Sequence, residues 1–100
     1  MHVTEIVTVI AHARAKPGQQ EQAREILEEL VAPSRAEEGC INYDLHQSTE
    51  YPELFVFHEN WTSAEALETH AKSEHIARFR KKLGGVLEEP PIVSRWRRLI

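Results

Sequence analysis

Six stretches of the chain carry a regular pattern of apolar and polar positions. From Val3 to Ala15 β-branched residues dominate, with Val3, Val7, Val9 and Ala11 on one side of an extended chain and Ile6 and Ile10 on the other. Apolar groups on both sides predict a strand covered on both faces. Lys16-Pro17-Gly18 then makes a turn. Beyond it Ala23, Ile26, Leu27, Leu30 and Val31 recur along one helical face with Glu and Gln opposite, an amphipathic helix loosened near Pro33. Ile41, Tyr43 and Leu45 alternate with Asn42, Asp44 and His46 as a second strand, and Leu54-Phe55-Val56-Phe57 opens a third. The segment from Ser48 to Glu53 is read as the hairpin loop between them.

Thr62-Ser63-Ala64-Glu65 has the spacing of a capping box with Thr62 as the cap. The helix it starts keeps Ala64, Leu67, Ala71, His75, Phe79 and Leu83 on one stripe to about residue 84, with a break near Ser73, and stops at Gly84-Gly85. Ile92 to Ile100 alternates as a last strand. The order βαββαβ predicts an α+β, ferredoxin-like domain: a four-stranded antiparallel sheet with both helices on one face. The other face would be bare and partly apolar, which predicts a second copy packed sheet to sheet, a homodimer.

Composition narrows the classes. A chain of 100 residues, 41% hydrophobic, is read as one domain over residues 1–100 with little room for a closed cavity, so a pocket belongs under an edge or between chains. No apolar run approaches the ~18 residues needed to cross a bilayer, and no signal-peptide pattern opens the chain, so a cytoplasmic protein without a membrane partner is expected. Cys40 is the single cysteine, which excludes an intrachain disulfide and a cysteine-based zinc site. A net charge of −4 argues against nucleic acid. Phe55-Val56-Phe57 resembles part of an RNA-binding strand motif, but Pro52-Glu53-Leu54 stands where its basic-Gly-aromatic start belongs. The basic clusters Arg78, Arg80, Lys81, Lys82 and Arg95, Arg97, Arg98 read as solvated faces or ion pairs.

Six histidines raise the question of a metal. On one continuous helix His70 and His75 would stand about 140° apart, too far round the axis to share an ion. His12, His46 and His58 lack a known register, and no metal is expected. No phosphate-binding glycine loop and no Gly-x-Ser-x-Gly elbow is present, and Cys40 beside Ile41 reads as a small buried hydrophobe. What remains is the stretch from His58 to Phe79. If the third strand runs through Trp61, His58 and Asn60 face one way and Phe57, Glu59 and Trp61 the other. A cleft between sheet and second helix could then hold aromatic walls, imidazoles and an indole or amide donor, with burial keeping an imidazole neutral and able to act as a base. Each residue has an ordinary reading as well: Trp61 as core, Glu59 as an edge pair, His70 as helix surface.

Lys16-Pro17-Gly18, the run Glu38 to Gln47, the run Phe55 to Trp61, Ala66-Leu67 with His70, and His75 together resemble the antibiotic biosynthesis monooxygenase domain family, which includes bacterial quinol monooxygenases. The resemblance implies a ferredoxin-like protomer dimerising through its sheets, a dimeric α/β barrel. It also implies an enzyme that oxygenates a small phenolic or quinol substrate with O2, using no cofactor: neither metal, flavin nor haem. Carried over residue by residue, it implies His70 as base and Asn60 and Trp61 as donors, with Tyr43, Phe57, His75 and Phe79 as substrate-binding wall; Tyr43 and Glu59 occupy family motif positions. Haem degradation, known in the same family, is disfavoured because Arg80 falls near the haem-ligand histidine position and Ala11 or His12 where an asparagine is needed. Two alternatives stay open, since fold does not set chemistry: an isomerase or signal-degrading enzyme acting on a small carbonyl metabolite, and a non-enzymatic small-molecule-binding dimer.

Overall fold

The computed structural model describes residues 5–100. Its elements run β1 (Val7–Arg14), α1 (Gln20–Glu29), α2 (Val31–Arg35), β2 (Cys40–Gln47), β3 (Leu54–Trp61), α3 (Ala64–Ala71), α4 (Glu74–Leu83) and β4 (Ile92–Trp96). The four strands form one antiparallel sheet in the order β2-β3-β1-β4. This is the α+β, ferredoxin-like arrangement that the pattern predicts. Val3, assigned above to the first strand, lies outside the described residues.

Strand alternation divides the sheet into two unlike faces. Val9, Ala11 and Ala13 of β1, Tyr43 of β2 and Phe55, Phe57, Glu59 and Trp61 of β3 are buried beneath the helices. Inward positions of β1 after Val9 are alanines, which lets the helices lie close, while the bulk is supplied by β2 and β3. Leu27, Leu30, Leu67, Ile76 and Leu83 complete the core from the helical side. The even-numbered residues Thr8, Ile10, Val56, His58 and Asn60 lie half-buried on the opposite, open face.

Both predicted helices are divided. The first breaks at Leu30, which caps α2, so Pro33 sits in the first turn of a new helix rather than inside a continuous one. Its missing N–H costs nothing there, because first-turn N–H groups have no intrahelical acceptor. The second breaks at Lys72 and Ser73, as expected. Ser73 Oγ accepts from Ile76 N at 3.4 Å and donates to the His70 carbonyl at 2.7 Å, joining the end of α3 to the start of α4.

Two boundaries differ from the sequence reading. The cap of α3 is Ser63, not Thr62: its hydroxyl accepts from Ala66 N at 3.1 Å. Thr62 still continues the sheet backbone, donating its N–H to the Gly39 carbonyl at 2.9 Å, and the helix begins one residue later than the capping-box spacing places it. The last strand stops at Trp96 rather than Ile100: its pairing with β1 ends at Trp96 and Thr8, one residue inside the start of β1. Several basic residues make exposed ion pairs, Lys82 with Glu29 at 2.8 Å and Arg78 with Glu74 at 3.8 Å. Among the described residues no helix is long and apolar enough to cross a membrane.

Candidate active site

The inward residues of β2 and β3 meet α3 in a closed aromatic box. Tyr43 packs on Phe57 with ring centres 4.9 Å apart, and the His70 ring lies 4.5 Å from Trp61 and 5.4 Å from Tyr43. Tyr43, Trp61 and His70 are 2%, 0% and 6% exposed, so His70 belongs to the core rather than to the helix surface. Burial is the main force on its imidazole and drives the pKa below the ordinary 6.5, against the pull of Glu37 in the other direction.

His70 Nδ1 lies 2.5 Å from Glu37 Oε2, and His75 Nε2 reaches the same oxygen at 3.0 Å. The expectation that these two histidines cannot converge is therefore corrected. The 140° separation holds only along an unbroken helix, and the Lys72–Ser73 break re-aims α4 so that both rings point at one carboxylate. Glu37 reaches them because α3 crosses the turn before β2 at close range. A Cβ built on Gly39 would stand 2.2 Å from Ala66 Cβ, so only glycine fits at that crossing. A neutral His70 donating Nδ1–H to Glu37 keeps its lone pair on Nε2, the arrangement by which a carboxylate fixes the tautomer of a catalytic imidazole.

Glu59 is a second acid at the site, and unlike the half-buried Glu37 it is buried. It is 3% exposed, and Oε1 accepts the indole N–H of Trp61 at 2.9 Å. Burial pushes its carboxyl up to about 7, with the Trp61 bond opposing and Glu37 adding a smaller upward push. The Trp61 N–H, expected to be a donor to substrate, is thus committed to Glu59. The Tyr43 hydroxyl is raised above the usual phenol range, chiefly by burial. Beside it the wholly buried Ser34 Oγ has no hydrogen bond of full geometry. Such an orphan is a polar point inside an otherwise aromatic enclosure.

Asn60 is not part of this box. It lies on the open sheet face, where its amide accepts from Thr8 Oγ1 at 2.5 Å and donates to Asn42 Oδ1 at 2.8 Å. The expected convergence of Asn60, Trp61 and His70 fails on strand geometry, because adjacent residues of one strand point to opposite faces. His12 and His46 each pair with Val56 from opposite sides, while His58 stands next to Ile10 and Asp44 on the same face. Among the described residues, the group of metal-ligating side chains brought together is Glu37, His70 and His75. Cys40 is half-buried, and burial raises its thiol pKa, which suits a structural role.

His75 also faces outward. With Phe79, Ile26, Leu30 and Pro33 it lines a groove of about 140 Å³ between α1–α2 and α4, rimmed by Glu29, Arg78 and Lys82. Of the four predicted substrate-binding residues, His75 and Phe79 are in this groove, and Tyr43 and Phe57 are sealed in the box behind it. Two larger hollows, about 600 Å³ by Arg14 and Glu88 and about 470 Å³ over His12 and His46, contain no buried titratable group. The groove at His75 is the smaller one, but it is the one in contact with the acid–base cluster. Glu37 carried no signal in the sequence, since Glu37-Glu38 before a glycine reads as an exposed turn. Glu59 did carry one: an acid on the same strand face as Phe57 and Trp61.

The sequence model of the antibiotic biosynthesis monooxygenase family matches residues 6–82. Rv0793 of Mycobacterium tuberculosis, named a putative monooxygenase, is 36% identical over 92 residues, covering 92% of this chain and 90% of its own. YcnE of Bacillus subtilis, named likewise, is 31% identical over 90% of this chain and 95% of its own length. The crystal structure of PA3566 from Pseudomonas aeruginosa superposes with a TM-score of 0.92 at 39% identity, covering 100% of both chains.

Proposed function

The chain belongs to the antibiotic biosynthesis monooxygenase family, and from that membership we propose that it oxidises a small phenolic or quinol substrate with O2, without a metal or organic cofactor. A monooxygenase-type function is what its named relatives support. The observation that carries the finer reading is an imidazole–carboxylate–imidazole cluster, Glu37 between the buried His70 and the half-buried His75, which meets a groove of about 140 Å³ through His75. That volume is close to the roughly 150 Å³ cavity known to hold a benzene ring.

In this reading the phenol ring lies against Phe79 and Leu30, and its hydroxyl proton passes to His75, the member of the cluster at the groove. Glu37 balances the imidazolium that forms, and His70, held neutral by burial, anchors Glu37 from the inner side. The electron-rich phenolate passes one electron to O2, and the radical pair recombines at a ring carbon as a hydroperoxide. Loss of water then leaves a quinone, so one oxygen atom enters the product and the other leaves as water. The protein contributes the base, the carboxylate that balances it and the apolar side chains on which the ring packs. The base assigned to His70 alone is thereby shared, with His75 touching substrate and His70 positioning. Trp61, Tyr43 and Phe57 form the rigid back wall, and Asn60 takes no part.

A second copy covers the open sheet face in this reading. Ile10, Val56, Ile92 and Trp96 make an apolar band there, with Ile92 and Trp96 more than half exposed.

The test is oxygen consumption with a panel of anaerobically prepared quinols and phenols. Stoichiometric O2 uptake that falls sharply in His75→Ala and Glu37→Gln is the expected result. No uptake above the uncatalysed rate across the panel refutes the oxygenase reading, and turnover that proceeds equally under nitrogen places the site in the isomerase class.

A further inference from the structure

We propose that Glu37, His70 and His75 bind a divalent transition-metal ion of the zinc class, and that the bound ion reversibly blocks the proton transfer described above. Glu37 comes from the turn after α2, His70 from the last turn of α3 and His75 from the first turn of α4. One ligand atom from each lies within 4.8 Å of the others. A carboxylate oxygen and two imidazole nitrogens are a donor set that zinc accepts readily, with a fourth tetrahedral position left open.

The metric fit is close. Bonds of about 2.0–2.1 Å in a tetrahedron place neighbouring ligand atoms about 3.3 Å apart. Glu37 Oε2 lies 2.5 Å from His70 Nδ1 and 3.0 Å from His75 Nε2. Each histidine therefore needs to part from Glu37 by less than about 1 Å to admit the ion. The fold permits it, since His70 and His75 stand on either side of the α3–α4 break. Ser73, whose hydroxyl is 3.2 Å from His75 Nε2, lies at the break itself.

The inhibitory half rests on the proposed function. In the hydrogen-bonded cluster His75 directs its Nε2–H at Glu37, and its Nδ1 lone pair is the base. An ion on Nε2 needs the lone pair there, so the neutral ring must carry its proton on Nδ1 and can no longer accept one. His70 changes tautomer in the opposite sense.

The experiment titrates the chelator-treated full chain with Co2+ and follows the visible absorption of a tetrahedral centre, then displaces Co2+ with Zn2+ in a calorimeter. One ion per chain is expected. The isosteric variant Glu37→Gln and the variant His75→Gln should each weaken binding at least ~10-fold, while the sheet-face double variant His12→Ala/His46→Ala should bind as wild type. Absence of the tetrahedral spectrum, or wild-type affinity in both cluster variants, overturns the site. Zn2+ should abolish quinol oxidation at saturation and a chelator restore it. A normal Co2+ spectrum with oxidation untouched overturns the inhibitory half alone. If no quinol is oxidised, the proposed function fails, and the spectrum still decides the metal site.

Discussion

Replacing Glu59 by Gln removes the buried ionisation while keeping an oxygen to accept from Trp61 Nε1. In the folded chain burial raises this carboxyl from the ordinary 4.5 to about 7. Between those two values the native state holds a proton that the unfolded state has released, so stability falls as pH rises through the window. Below about 4.5 both states are protonated and the penalty is absent; above about 7 both are ionised and it is complete. At about 1.4 kcal/mol for each tenfold change in proton affinity, the full penalty is on the order of 3 kcal/mol. Glu59→Gln should therefore match wild type at about pH 4 and exceed it by about 3 kcal/mol at about pH 8, a rise on the order of 10 °C in Tm. Urea unfolding of both proteins across this range, at one fixed concentration, isolates the effect, because the other titrating groups cancel in the difference. A stability difference that does not change with pH refutes the reasoning, and Glu59 is then either solvated or paired in the native state.

The other predictions concern the cluster, the helix crossing and the open face. Glu37→Gln should lower kcat about 10²-fold or more, since the His75 imidazolium then loses the carboxylate that balances it; a kcat close to that of wild type removes Glu37 from the proton path. Gly39→Ala places a methyl group 2.2 Å from Ala66 Cβ and should cost about 1–3 kcal/mol in denaturant unfolding, whereas an unchanged midpoint shows that α3 can shift at no cost. Trp96→Glu should convert a sheet-paired dimer into monomers by analytical ultracentrifugation, and a monomeric wild type refutes the pairing.

How much of the site was legible follows from the kind of signal each residue leaves. Period-2 alternation in β3 already placed Phe57, Glu59 and Trp61 on one face and Asn60 on the other, so Asn60's absence from the box was readable from the strand alone. The Ser73 break was readable too, but not its consequence. How far α4 turns depends on the Ser73 bridge and on the packing of Ile76 and Leu83, and a helical wheel across the break mis-assigns every residue beyond it. Glu37 was not readable, since an acid in a turn looks the same whether it faces water or a pair of histidines.

Local pattern by itself determined the order of elements, the antiparallel ferredoxin-like sheet and which strand residues face inward, because burying a continuous apolar face forces a period on the sequence. Only the tertiary structure decided that His70 and His75 share Glu37, that Trp61 gives its N–H to Glu59, and that the groove opens at His75. The two histidine contacts join residues 33 and 38 positions apart across the Gly39–Ala66 crossing. A single-residue periodicity holds no record of which distant side chain fills the far end of a hydrogen bond.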